Sequence, residues 1–262
     1  YQFADFQRRS LLVWLFVAFA AVVIALGGWR GTAALGGLVA SIAVLLIFVL
    51  PAILDGRSPV LVAVFGSAAI AFLALYAAHG FTRMTTVALI GTLAALTLTA
   101  VLSGVVVGFA SFTGFTSDEA SLLTLFEGID VRGLLLAGIV LGAAGAIDDV
   151  TVTQASAVWE LKAASPSLQV TELFRRGLRV GRDHIASTVN TLLLAYAGAS
   201  LPLLVLFVLS EQSLGTVANS EVMAVEIVRT LVGSIGLVAA VPFTTWLAAV
   251  TAHSRPPAAN RN

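Results

Sequence analysis

The 262-residue sequence contains no cysteine, which excludes disulfide bonds and thiolate metal sites. Charged residues are also scarce, at 11% of the chain, whereas soluble domains typically carry about 25%. Because 59% of the residues are hydrophobic, the chain cannot cover itself with a polar surface. The composition therefore excludes a soluble globular fold and indicates an integral membrane protein.

Further absences narrow the function. The formal net charge is zero, so nothing indicates a nucleic-acid partner. No Gly-x-x-x-x-Gly-Lys motif is present, which argues against direct coupling to ATP. No Ser/His/Asp arrangement or His-rich metal motif stands out, so the sequence does not predict an enzyme or an organic cofactor.

What the chain does have is a series of apolar runs of about 17 to 25 residues, the length that crosses about 30 Å of hydrocarbon. Backbone amides in lipid must be bonded within the segment, so such runs form helices. We predict an all-α polytopic bundle of about seven transmembrane helices within a domain covering residues 1–250. The predicted helices lie near residues 11–26, 33–54, 60–78, 86–109, 134–153, 187–209 and 222–250.

The distribution of basic residues predicts the orientation, because Lys and Arg are retained on the cytoplasmic side. The side that includes residues 160–184 collects nine basic and three acidic residues, and the opposite side has four basic and eight acidic ones. The N-terminal end is therefore expected outside and the C-terminal end inside, with residues 251–262 as a disordered cytoplasmic tail. Arg8 and Arg9 conflict with this orientation, and an upstream extracytoplasmic domain would explain the conflict.

One loop segment suggests a partner besides the lipid bilayer itself. Residues 168–182 alternate apolar and basic positions at helical spacing, which favours contact with anionic lipid headgroups. A homo-oligomer and an envelope protein partner are both compatible with the sequence.

The most informative residues are two acids in the fifth predicted helix. Asp at the centre of a membrane helix costs about 2.5 to 3.5 kcal/mol, so Asp148 and Asp149 should face protein or water. Adjacent residues differ by about 100° around a helix, so the two carboxylates point to different faces. Asp148 is expected beside Thr151. Asp149 is expected at a tight helix interface, because its face carries small residues: Gly138, Gly142, Gly145, Thr153 and Ser156.

The depth of Asp149, about 24 Å from Gly133, places it in the predicted inner third of the membrane, near the start of the sixth helix. The candidate ion, proton or substrate site comprises Asp149, Asp148, Asn190, Thr153, Ser187, Thr191, Thr151 and Gln154. Oxygen ligands beside carboxylates suit Na⁺, Mg²⁺ or Ca²⁺, so Asp149 and Asp148 are the candidate metal ligands and a bound cation is the cofactor they allow. A carboxyl group that carries a proton is the other interpretation.

Structural roles compete with this site. The two aspartates could solvate the inner end of a short fifth helix, and Asn190 and the hydroxyl groups could form interhelical hydrogen bonds. His184 is interpreted as a solvated loop residue. Glu226 and Arg229, three residues apart in the outer half of the seventh helix, are predicted to pair with each other. Pro202 is predicted to kink the sixth helix, because it lacks the amide that bonds one turn back.

Several segments resemble one family of bacterial membrane proteins. They are residues 142–161 (GAAGAIDDVTVTQASAVWEL), 181–191 (GRDHIASTVNT), 195–202 (AYAGASLP), 5–8 (DFQR) and 51–56 (PAILDG). Together they make the chain similar to the YibE/F-like proteins from about residue 1 to residue 250. The resemblance implies a bacterial inner-membrane location, and commonly an upstream helix and an extracytoplasmic domain, but no substrate. Many members have one acid where this chain has two, and we transfer the family signature to Asp149 first.

Two functions follow from these observations. The leading hypothesis is a transporter or channel for an ion or small solute, with Asp149 as the principal site and Asn190 completing it. The alternative is a noncatalytic envelope or assembly protein whose membrane part anchors an external domain or a partner.

Overall fold

The computed structural model describes residues 8–116, 118–123, 125–126, 128–210 and 213–254. Within these ranges every regular element is a helix and no strand is present. The predicted all-α fold is therefore confirmed. Most of the predicted tail, from residue 255 onward, lies outside the described residues.

The described chain forms a series of helices that differ widely in length. They are α1 (Arg9–Val44), a π-helical segment (Leu45–Val49), α2 (Leu50–Leu54), α3 (Pro59–His79), α4 (Arg83–Phe109), α5 (Asp118–Leu123), α6 (Val131–Ala164), α7 (Val170–Ala199), α8 (Leu201–Leu209), α9 (Leu214–Asn219) and α10 (Glu221–His253). In these residues five spans are long and apolar enough to cross a membrane, or six if α7 and α8 form one bent span. The chain is thus a polytopic helix bundle.

The first span accounts for the difference from the seven predicted helices. It is one helical stretch, Arg9–Leu54, where the sequence predicted two helices. Gly28 interrupts it with φ 54° and ψ −134°, values that are not helical. Residues eight apart on a straight helix lie about 12 Å apart, yet a side chain on Gly31 would collide with the carbonyl oxygen of Val23. The chain therefore bends back at Gly28, and counting the two arms separately accounts for the seven predicted segments.

The sixth predicted helix, 187–209, is wrong at its start. Helix α7 begins at Val170, because the apolar side of the amphipathic segment packs on the bundle and the helix continues into the membrane. Leu173, Gly177 and Gly181 are buried there, whereas the neighbouring Arg175 is exposed. The predicted kink near Pro202 is confirmed, since α7 and α8 meet at 63°.

Helix α6 lies at the centre of the bundle. It packs against α3, α4, α7 and α10. Its buried positions are mostly Ala, Val and Ile, including the fully buried Ile139, Ile147, Val150 and Val158. These side chains leave few polar groups to satisfy, so they suit a helix that is surrounded by protein.

Helices α4 and α10 approach each other closely at two glycines. The hydroxyl of Thr244 on α10 lies against Gly91 of α4, and the hydroxyl of Thr99 on α4 lies against Gly236 of α10. In lipid, where water does not drive apolar helices together, this close packing is a main source of association. The two contacts hold α4 and α10 together along the side of α6.

The long helices alternate in direction. Arg132, at the start of α6, donates to the carbonyl oxygen of Val107 near the end of α4 at 3.1 Å. Glu221, at the start of α10, accepts from the amide of Gly114 just after α4 at 2.8 Å. One end of the bundle thus carries the starts of α6 and α10 and the end of α4, as alternating membrane crossings require. Which end faces the cytoplasm stays a prediction.

The orientation can be tested with fusions after Asn262. If the C-terminal end is cytoplasmic, alkaline phosphatase fused there should be inactive, because its disulfides form only in an oxidising compartment, and a green fluorescent protein should fluoresce. Active phosphatase with a dark fluorescent fusion would reverse the predicted orientation.

The close approach of α4 and α10 predicts a difference between two glycines of α4. Gly91→Ala should lower the melting temperature in detergent, because the new methyl meets Thr244 and overpacking costs about 1 to 3 kcal/mol. Gly104→Ala is the matched control: no other side chain is within 4 Å, so alanine should stabilise the helix by up to about 1 kcal/mol. Equal effects of the two substitutions would contradict this packing.

Candidate functional site

Asp148 and Asp149 lie at the middle of α6, and their environments differ. Asp148 is partly buried on the side of α6 that faces α4. The side chain of Asp149 is 68% exposed and lies on the side facing α7. The predicted divergence of the two carboxylates is therefore present, as the 100° step between neighbouring helical residues requires.

Asp148 is surrounded by threonine hydroxyls. Thr92 of α4 donates from Oγ1 to Oδ1 of Asp148 at 3.4 Å. The hydroxyls of Thr92 and Thr151 lie 2.7 Å apart, and Thr151 also donates to the carbonyl oxygen of Asp148 at 3.0 Å. Both threonines are fully buried. Among the described residues, the carboxylate thus accepts from a neutral donor, Thr92, at the α4–α6 interface, and Thr151 bonds to the backbone of the same residue.

A third threonine hydroxyl lies close to this group. Thr244 of α10 is fully buried, and its Oγ1 has no hydrogen-bond partner among the described protein atoms. It lies against Gly91, next to Thr92, and the methyl group of Thr151 lies 3.4 Å from the position of a Cβ on Gly91. Thr244 of α10 therefore lies beside Gly91 of α4 and Thr151 of α6, the residues next to the Asp148 hydrogen bonds.

Asp149 meets α7 at a histidine. Oδ2 of Asp149 lies 3.9 Å from Nε2 of His184, whose side chain is 37% exposed. His184 belongs to α7, so its interpretation as a loop residue is wrong, because the helix begins fourteen residues before it. A protonated His184 would form an ion pair with Asp149 at this distance.

The prediction that Asp149 lies at a tight helix interface is also wrong. The glycines that share its face give space to polar side chains from other helices instead of admitting a close backbone. Oη of Tyr196 lies over Gly142, and Nη2 of Arg229 lies 3.8 Å from the Cβ position of Gly138. Asp149 itself remains largely uncovered.

The predicted pairing of Glu226 with Arg229 is present. Nη1 of Arg229 lies 3.1 Å from Oε1 of Glu226, and both side chains are about three-quarters buried. The guanidinium also lies 5.9 Å from the ring centroid of Tyr196, within the range of a cation–π contact. This cluster lies nearer the start of α6 than Asp149 does.

Gln154 joins three helices. Its Nε2 donates to the carbonyl oxygen of Gly177 at 2.8 Å and to Oγ1 of Thr245 at 2.7 Å. The side chain is buried between α6, α7 and α10, and its hydrogen-bond partners among the described residues do not include either carboxylate. Its geometry is that of a structural joint.

The family model for YibE/F-like proteins matches residues 15–254, most of the chain. The chain belongs to the YibE/F-like family. None of the curated proteins and none of the solved structures compared with this YibE/F-like chain is significantly similar to it. The family therefore supports a membrane protein and leaves the chemistry to be argued from the residues.

The remaining predicted residues of this YibE/F-like protein lie near the acids without binding them. Thr153 donates to the carbonyl oxygen of Asp149, and Thr191 donates to that of Ser187, each within its own helix. Ser187, Asn190 and Thr191 are exposed on α7, one or two turns beyond His184. Among the described residues, the structure thus brings His184, and not Asn190, to Asp149.

The sequence did not predict two threonines of this YibE/F-like protein as site residues: Thr92 of α4, which bonds to Asp148, and Thr244 of α10, which lies against Gly91. A signal was present: Thr85, Thr92 and Thr99 recur every seven residues along α4, and all three are fully buried. In the described part of the chain, no group of three or more His, Asp or Glu side chains is arranged to hold a metal. Any cation beside Asp148 would therefore depend on hydroxyl oxygens.

Proposed function

We propose that the protein is a transporter or channel for an ion or small solute in the bacterial inner membrane, with Asp148 and Asp149 as its intramembrane site. The observation that carries the proposal is the position of Asp148. It lies inside a membrane-crossing helix, and no Lys or Arg among the described residues pairs with it.

The cost of an unpaired carboxylate in a membrane supports this function. An Asp at the centre of a membrane helix costs about 2.5 to 3.5 kcal/mol, and intramembrane acids commonly mark ion paths or proton relays. Among the described residues, the hydroxyls that donate to Asp148, those of Thr92 and Thr151, are neutral. A bound cation or a proton would remove the net negative charge.

The two acids have different roles in the proposed site. Asp148, with Thr92 and Thr151, would bind the ion inside the bundle through oxygen atoms, which hard cations prefer. Asp149, exposed and opposite His184, would exchange the ion with the α7 side of the bundle. Asn190, Ser187, Thr191 and Thr153 would line the approach. The exposed arginines at the start of α7 would meet anionic headgroups.

The test is ion flux into proteoliposomes. Asp148→Asn should lose nearly all flux with an unchanged melting temperature, because the amide keeps the size of the side chain but removes its charge and its titratable proton. A lost interhelical hydrogen bond averages only about 0.6 kcal/mol in membranes, too little to abolish activity through stability. Asp149→Asn should lose part of the flux, and Asp55→Asn, an exposed loop acid, should lose none.

Two results would count against the proposal. Undiminished flux in the double variant Asp148→Asn/Asp149→Asn would remove the acids from the mechanism. No protein-dependent flux of any ion across a broad panel would favour the envelope or assembly function instead.

A further inference from the structure

The face of α6 that carries Gly138, Gly142 and Gly145 is lined by polar side chains from α7 and α10. A Cβ on Gly142 would lie 2.5 Å from Oη of Tyr196, and one on Gly138 would lie 3.8 Å from Nη2 of Arg229. Glycine is needed to leave this room at Gly142, whereas a Cβ at Gly138 would make an ordinary contact with the guanidinium. The face thus accommodates a phenol and a guanidinium within a membrane-crossing helix.

Open space separates this polar cluster from Asp149. A Cβ on Gly145 would have no atom of another residue within 4 Å, and both Gly142 and Gly145 are exposed. The rise from Gly142 to Asp149 is about 10 Å, a third of the hydrocarbon thickness. Tyr196, which lies at Gly142, is therefore only about 10 Å from Asp149 along the axis of α6, on the side nearer the start of that helix.

Buried nitrogen atoms without partners lie at both ends of this space. Nε of Arg229 at one end and Nε2 of His184 at the other have no hydrogen-bond partner among the described protein atoms. A buried polar atom left without a partner costs about 1 to 3 kcal/mol. Water satisfies such groups, whereas lipid chains do not.

We propose that this face of α6 is a hydrated path by which a proton or small monovalent cation reaches Asp149 from the Glu226–Arg229 end. The proposal rests on the proposed transport function, because it supplies the second access route that crossing the membrane requires. Glu226 compensates the charge of Arg229, so the pair does not repel a cation as a lone arginine would. Tyr196, the side chain closest to the glycine face, is the narrow point of the path.

The absence of native cysteine makes the path testable by single-cysteine labelling in the full chain. Gly145→Cys should be tolerated, because its position has space. Ile235→Cys is the matched control: it is 51% exposed on α10, and the adjacent Gly236 lies at the level of Ile147 on α6. The probe is a membrane-impermeant trimethylammonium methanethiosulfonate, applied to the protein in lipid vesicles.

The thiolate is the reactive form and needs water, so Gly145→Cys should react at least about tenfold faster than Ile235→Cys. Equal, slow reaction of both thiols in vesicles, with full reaction of both after denaturation in detergent, would show that lipid covers this face and would overturn the path. If the thiol of Gly145→Cys is labelled slowly while ion flux is intact, the path is overturned and the transport function is not. If this thiol is labelled fast but the protein carries no ion flux, the path is supported and the transport function is rejected.

A second pair of variants tests Tyr196. In the Gly145→Cys background, Tyr196→Ala should accelerate labelling severalfold from the side of the Glu226–Arg229 pair, because it removes the ring beside Gly142. Tyr196→Phe keeps the ring and should label at the parent rate. If Tyr196→Ala changes nothing, Tyr196 is not the narrow point of the path.

Discussion

The constraint on which the structure depends is that a polar group inside a membrane must find a partner in protein or water. Most of the threonines satisfy it with carbonyl oxygens of their own helix, as Thr99 does with Ala95. Arg229 satisfies it in part through Glu226, and Gln154 through Gly177 and Thr245. In the described part of the chain, Asp148 accepts from the neutral Thr92 and pairs with no Lys or Arg, so its charge calls for a functional explanation.

Small residues serve two purposes in this bundle. Gly91 and Gly236 let α4 and α10 come close enough to pack Thr244 against α4 and Thr99 against α10. Gly138 and Gly142 instead leave room for long polar side chains. Glycine thus serves close helix packing between α4 and α10, and on α6 it serves the face that carries Asp149.

Hydropathy predicts the membrane helices well, because the length of each apolar run is set by the bilayer. It fails where the chain is amphipathic. Residues 168–182 showed helical spacing, but their continuation into the sixth membrane helix was not predicted, since their burial depends on contacts with α6 and α10. The divergence of Asp148 and Asp149 follows from helix geometry, but which of them faces the bundle does not. A row of glycines on a helix predicts a close neighbour. It does not specify whether that neighbour is the backbone of another helix or a side chain, as Tyr196 is at Gly142. Thr92 was missed because threonine is common in membrane helices.

In the proposed function, the transported ion contacts the carboxyl group of Asp148. Difference infrared spectroscopy of the protein in lipid vesicles, recorded as each candidate ion is added or the pH is changed, measures this contact through the carboxyl vibrations. The ion that sustains flux should perturb a carboxyl band in the native protein, and that change should vanish in Asp148→Asn. A band change of full size in Asp148→Asn, or no change for an ion that the protein transports, would contradict the account.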